Sequence, residues 1–97
     1  MGIRFEWDAA KAATNERKHG VSFELAVRAF ADPLAISHQD RIEGGEQRWQ
    51  TLGMADGVLL LLVAHTVRNE QDSEVIRIIS AREAMRKEKR DYEQKYR

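Results

Sequence analysis

The chain predicts an α+β domain in which an antiparallel sheet carries two amino-terminal helices and one carboxyl-terminal helix. Three observations carry that reading. Two apolar stripes at helical spacing lie between Asp8 and Pro33, each opened by a capping residue. Beyond Pro33 the apolar period becomes that of strands, punctuated by Gly44-Gly45 and Asp56-Gly57. A charged segment with the capping-box pattern S-x-x-E then closes the sequence.

Ile3, Phe5 and Trp7 alternate with polar residues, the pattern of a half-buried opening strand. Asp8 offers an N-cap oxygen to a helix running to about Lys18, which Gly20 can end in a left-handed turn. Ser22 is a second N-cap, followed by Phe23, Ala26, Val27 and Phe30 on one helical face until Pro33 halts the chain. Leu34–His38 is a short strand candidate, and Glu46–Met54 alternates around Trp49. Asp56-Gly57 marks a hairpin into Val58–Thr66, whose continuous apolarity as far as Ala64 predicts a central strand covered on both faces. A polar loop, Asn69–Ser73, leads to a last strand, Glu74–Ser80. Ser80 and Glu83 then predict the start of the final helix, with Ala81, Met85 and Tyr92 as its apolar stripe.

With 97 residues the expectation is one domain over 1–97, and no repeat or linker interrupts it. A composition of 42% hydrophobic and 33% charged residues fits a globular chain rather than a disordered one. There is no cysteine, which excludes disulfides and thiolate metal sites. The opening MGIRFEW has no signal-peptide core, and no apolar run is long enough to span a bilayer, so a cytoplasmic location is expected. Sixteen basic residues balance sixteen acidic ones, so no global positive field draws in a polyanion. The charge is uneven: residues 82–97 hold seven basic and four acidic side chains, 7 − 4 = +3, which leaves −3 for the rest. A solvated helix with internal ion pairs accounts for that tail without any function.

Several blocks in order carry a resemblance over essentially the whole chain. FEWDAAKAATNERKHGVSFELAVRAFADP at residues 5–33, E-x-R-W at 46–49, H-T-x-R at 65–68 and RIISAR at 77–82 resemble the BrnT family of bacterial toxins. The resemblance implies a RelE-like fold, ribonuclease activity that stops growth, and a BrnA-like antitoxin with a ribbon-helix-helix DNA-binding part. It further implies a 2:2 complex that reaches DNA only through the antitoxin. The zero net charge departs from the basic character of RelE-like nucleases.

Cleaving RNA without a metal requires a base for the 2′-hydroxyl, positive charge on the transition state and an acid for the leaving oxygen. Arginine suits the second task because its planar fork matches phosphate oxygens. Arg77 occupies a strand position between Val75 and Ile79 where an apolar residue fits the pattern, so it either reaches solvent or holds an anion. Arg82, read as the second residue of a capped helix, opposes the helix dipole; it is either solvated or part of an anion site with Arg77. His65 and Arg68 end the apolar strand. His65 is a candidate acid or base or a hydrogen-bonded strand end, and whether it meets Arg77 depends on strand register. Lys18 and His19 suit the negative end of the first helix, and the family resemblance adds a catalytic role for them. Glu46 is a candidate general base or half of a cross-strand ion pair. Arg48 and Arg86 are candidate RNA contacts, while Tyr92 either packs in the core or stacks on a base. His19, His38 and His65 share no ligand spacing, so no metal or other cofactor is expected.

Two readings besides the metal-independent endoribonuclease stay open at this stage. One is a catalytically weak or inactive binding module with the toxin's fold, acting through its antitoxin in operon repression. The other is a direct nucleic-acid binder, against which the neutral charge and lack of a recognition helix weigh.

Overall fold

A computed structural model describes residues 2–95. Strand β1 is Gly2–Glu6. The Asp8 carboxylate then accepts a hydrogen bond from the Lys11 N–H at 3.0 Å and opens helix α1, Ala9–His19. Gly20, at φ +70°, ends α1 in the left-handed region that a side chain disfavours. The Ser22 hydroxyl accepts from the Leu25 N–H and opens α2, Phe23–Ala29. Four strands follow: β2, Ile36–Glu43; β3, Glu46–Ala55; β4, Leu59–Glu70; and β5, Ser73–Glu83. Helix α3, Arg86–Gln94, is the last element.

The five strands form one sheet in the order β1-β5-β4-β3-β2, which makes β4 the central strand as its apolarity predicts. The α+β architecture is the one expected. One pairing differs from a purely antiparallel sheet: β1 runs parallel to β5. Alternation reports which face a strand buries and carries no information on the direction of its partner.

Helices α1 and α2 cover one face. Phe23, Ala26 and Ala29 pack there on Leu61, Val63, Ile78 and Ala81, with Phe5 and Trp7 beside them. Phe23, Leu61 and Val63 are fully buried, and removing each such side chain from water contributes about 1.5–3 kcal/mol. The opposite face is covered at one end only, where Tyr92 of α3 packs with Leu52, Leu60, Leu62 and Ala84. The rest of that face is open.

Past Glu6, β1 leaves the edge of β5 unpaired, and α1 fills the place. The buried Asn15 amide donates to the Ala81 carbonyl at 2.8 Å and accepts from the Ala81 N–H at 3.1 Å. It thus satisfies both backbone groups that a neighbouring strand would have paired. A third bond, to the Val21 carbonyl at 3.0 Å, ties the same amide to the turn between the helices.

Local signals were overridden in several places. The Ser80–Glu83 capping box does not start a helix, because these residues stay in the ladder opposite β4, with Ser80 beside Ala64 and Glu83 beside Leu61. The helix begins at Arg86 instead, where the Glu88 carboxylate accepts from the Met85 N–H at 2.7 Å. Ala81 therefore belongs to the helix-covered core and Met85 is 61% exposed, so of the expected stripe only Tyr92 packs from α3. The expected loop at 69–73 shrinks to the turn Gln71-Asp72, since polar residues are tolerated at the solvent end of a hairpin. Strand β2 starts two residues later than expected and runs to Glu43, paired with β3 across a bulge between Gln39 and Ile42. Val58 lies in the turn, 83% exposed, ahead of β4.

Candidate active site

Because side chains alternate between faces, the strand register places the polar residues of the open face in rows across the sheet. One row runs Glu6, Arg77, Thr66, with Arg48 in line one residue beyond the Trp49–His65 pair. The next brings Arg4, Val75 and Arg68 together. On the other side lie Ser80, Ala64, Gln50 and His38.

Glu6 is the centre of this arrangement. Arg68 grips it as a fork, Nη1 to Oε2 at 2.8 Å and Nη2 to Oε1 at 3.1 Å, and Arg77 donates to the same Oε2 at 3.0 Å. Arg68 Nε also donates to Glu70 at 2.9 Å, and Glu70 accepts from Arg4 at 2.8 Å. Three arginines and two carboxylates give this network 3 − 2 = +1. The chain is neutral overall, yet the open face is locally positive.

Hydrogen bonds from Arg68 and then Arg77 hold the Glu6 carboxyl at about 2, down from 4.5, against a smaller opposing effect of desolvation. Bonds to Glu6 and Glu70 in turn raise the Arg68 pKa. A depressed carboxylate stabilises the fold above its unfolded pKa, and that contribution disappears as pH falls through the folded value. Stability supplied by Glu6 should therefore be complete above about pH 4.5 and vanish towards pH 2. Glu6→Gln should flatten the melting-temperature profile in that window. Superimposable acid limbs for the two proteins would show that the pairing does not exist in solution.

The network's members are solvent-accessible, with side-chain exposures of 40% for Arg77, 43% for Arg68 and 33% for Glu6. Ion pairs this accessible contribute little to stability. For the same reason their partners exchange at little cost, which suits guanidinium groups that must receive a substrate anion.

The other sequence candidates lie as follows. Arg48 is mostly buried beside the row; its Nη2 is 3.5 Å from Glu43, and its buried Nε has no partner among the described residues. Arg82 shares the open face but is on β5, not at a helix start, so no anion site of free helix amides forms around it. Its guanidinium is held by Glu88 through bonds of 2.9 and 2.8 Å. Lys18 and His19 border a shallow depression of about 330 Å³ with Ile79 and Ser80, at the edge of β5 that β1 leaves free. Glu46 lies at the β2–β3 hairpin end opposite Glu43 rather than opposite a cation. Arg86 is exposed at the start of α3. Tyr92 is in the core, with its hydroxyl donating to Asp32 at 2.5 Å. Desolvation pushes the Asp32 pKa up, but hydrogen bonds from Tyr92, Met54 and Leu34 outweigh it and bring it below the usual value.

His65 is separated from the arginines. Ile78 opposes it, and the index sum 65 + 78 = 143 is odd, which puts His65 and Arg77 on opposite faces. It is 3% exposed, rests edge-on against Phe30 and bonds through Nε2 to the Thr51 hydroxyl at 2.7 Å. Burial lowers its pKa and favours the neutral ring. Glu6, by contrast, was not among the sequence candidates. Its signal was its place on the polar face of the opening strand, between Phe5 and Trp7.

The description of a ribonuclease toxin, BrnT, of type II toxin–antitoxin systems fits a family model that matches residues 7–88. The chain belongs to the BrnT family. It is thereby a ribonuclease-type toxin whose system implies an antitoxin partner. The matched span takes in Arg48, Arg68, Arg77 and Arg82 and begins one residue after Glu6. The BrnT ribonuclease toxin of Brucella abortus, a solved structure, is similar at 24% identity with a TM-score of 0.53, over 89% of this chain and 99% of that one. At that identity the likeness concerns the fold. No curated relative matches the chain. Among the described residues no helix is long and apolar enough to cross a membrane, and no cluster of three or more His, Asp or Glu could hold a metal ion.

Proposed function

We propose that this BrnT-family protein is a metal-independent endoribonuclease of the RelE-like kind that cleaves RNA on the open sheet face and arrests growth. The observation that carries the reading is the convergence of Arg68 and Arg77 on one carboxylate at 2.8–3.1 Å. Two guanidinium groups arranged around an anion are the geometry that a pentacoordinate phosphate requires.

The reaction is an internal displacement. The 2′-oxygen attacks phosphorus, the P–O2′ bond forms and the P–O5′ bond breaks, leaving a 2′,3′-cyclic phosphate and a 5′-hydroxyl. Arg68 and Arg77 turn from Glu6 to the phosphate oxygens and neutralise the charge that develops there. Glu6, relieved of the bonds that depress its pKa, becomes a stronger base and takes the 2′-hydroxyl proton. His19, beside Lys18 at the free edge of β5, is the group proposed to return a proton to the leaving 5′-oxygen. Arg48 supplies further positive charge along the row.

The antitoxin is proposed to be BrnA-like, with a ribbon-helix-helix part, in a 2:2 cytoplasmic complex. An acidic segment covering Arg68, Arg77 and Arg82 would neutralise the toxin by occupying the phosphate site. The whole chain, 1–97, is taken as one toxin domain. A second reading, a weakly catalytic module acting through its antitoxin, draws support from the pairing of both central arginines with carboxylates and from the neutral charge.

Purified protein incubated with RNA and EDTA distinguishes the two. Cleavage that persists in chelator, with growth arrest on inducible expression and rescue by the neighbouring gene, is the expected result. Activity lost in EDTA and restored by magnesium would refute the mechanism; no cleavage under either condition would favour the second reading.

A further inference from the structure

A cavity of about 370 Å³ opens on the same face, between the sheet and the first turns of α3. Its apolar floor comes from Ile36, Leu52 and Leu62, with Met85 at the mouth. Gln50 and His38 form the polar edge on the sheet side, and Lys87, Glu88 and Asp91 form it on the α3 side. Gln50 is half-buried, and its carboxamide is absent from every side-chain hydrogen bond among the described residues. A free amide over an apolar floor, in a cavity within the size range of small-molecule sites, is an arrangement for a flat heteroaromatic ligand.

Position in the sheet selects the ligand. Gln50 lies in the row Ser80–Ala64–Gln50–His38, next to the row that holds Arg77, Thr66 and Glu6. Same-face rows are two residues apart, about 7 Å along a strand. Strand β3 lies two strands from β5, about 10 Å across the sheet, so the Gln50 and Arg77 backbones are about 12 Å apart. Extended arginine and glutamine side chains span part of that distance and leave the scale of one nucleotide from phosphate to base. The intervening Ala64 and Ser80 are small enough to leave room for a sugar. We propose that this cavity is a base-recognition subsite for the RNA substrate, which holds one unstacked adenine next to the phosphate gripped by Arg68 and Arg77. The apolar floor takes the ring face, as in recognition of splayed single-stranded bases. The Gln50 carboxamide, one donor and one acceptor side by side, matches adenine N7 and N6. Gln50 is then a specificity-determining residue, and Met85, exposed at the cavity mouth, closes over the base.

The inference rests on the ribonuclease reading, and the test separates the two. Short RNAs that vary only in the base beside the cleaved phosphate are compared for cleavage. Their 2′-deoxy counterparts, which the proposed reaction cannot cleave, are compared for binding. The expected result is an adenine preference in both assays that falls about tenfold in Gln50→Ala and is redirected in Gln50→Glu, whose carboxylate cannot donate to N7. The measured quantity is a ratio between bases, which a merely structural role for Gln50 would leave unchanged. Cleavage with the same base preference in wild type and both variants overturns the subsite and leaves the ribonuclease reading standing. Adenine-selective binding that depends on Gln50, without cleavage, supports the subsite and overturns the ribonuclease reading. Neither binding nor cleavage overturns both.

Discussion

Replacing Arg77 with methionine is expected to slow RNA cleavage about a hundredfold or more, equivalent to roughly 2–4 kcal/mol of lost transition-state stabilisation. The stem's volume is largely kept while the charge is removed. The folded state should hardly respond, because among the described residues Arg77 is paired with Glu6 alone, in an ion pair that is partly open to solvent on both sides. Melting temperature should therefore change by no more than a few degrees. Arg28→Met, on α2 across the sheet from the open face and exposed beside Asp56, serves as a control expected to alter neither quantity appreciably. Measured on one preparation, a protein that melts early yet cuts RNA at the normal rate per folded molecule would assign Arg77 a structural role. A folded and fully active Arg77→Met protein would remove it from the site.

The largest effect on stability is expected at Gly53, far from any proposed chemistry. A Cβ there would clash with the Ala29 carbonyl oxygen, far inside van der Waals contact distance, and lie 3.0 Å from its carbonyl carbon. The obstacle is backbone, at the end of α2, and no rotamer change relieves it. Gly53→Ala must push α2 away from the sheet, and α2 contributes the buried Phe23, Ala26 and Ala29 to the main core. A loss of about 3 kcal/mol is expected, at the upper end for overpacking. For a domain of this size that lowers the melting temperature by roughly 15 °C. A variant melting within two degrees of wild type would show that α2 does not sit this close to β3. The open face is spared by this change, so the fraction that stays folded at low temperature should still cleave RNA.

Much of the fold was legible because it is written in local chemistry. Asp8, Ser22 and Gly20 mark the helix ends through short-range hydrogen bonds and one left-handed residue. The apolar run after Asp56-Gly57 marks a strand covered on both sides. What could not be read depends on partners distant in sequence. The box at Ser80 and Glu83 is a genuine capping pattern, but pairing with β4 satisfies the same backbone groups across the whole strand.

The candidate site turned on a single extra residue. Between Ser80 and Ile78 the ladder bulges at Ile79, and the index sum changes from 64 + 80 = 144 to 65 + 78 = 143. Without that bulge, His65 and Arg77 would share a face. With it, His65 enters the core against Phe30, and Arg77 meets Thr66 on the open side. Nothing in the local sequence announces the bulge. Glu6 escaped for a related reason, since its role depends on β1 lying parallel to β5, a pairing that alternation cannot report.

The open-face chemistry depends on attack by the substrate's own 2′-hydroxyl. An RNA containing one mapped cleavage site, with deoxyribose substituted only at the nucleotide 5′ to the scissile phosphate, tests this directly. That bond should resist cleavage in the substituted strand while binding is retained, and the unsubstituted strand should yield a 2′,3′-cyclic phosphate and a 5′-hydroxyl. Cleavage of the deoxy-substituted bond at an undiminished rate, or products ending in a 5′-phosphate, would contradict it.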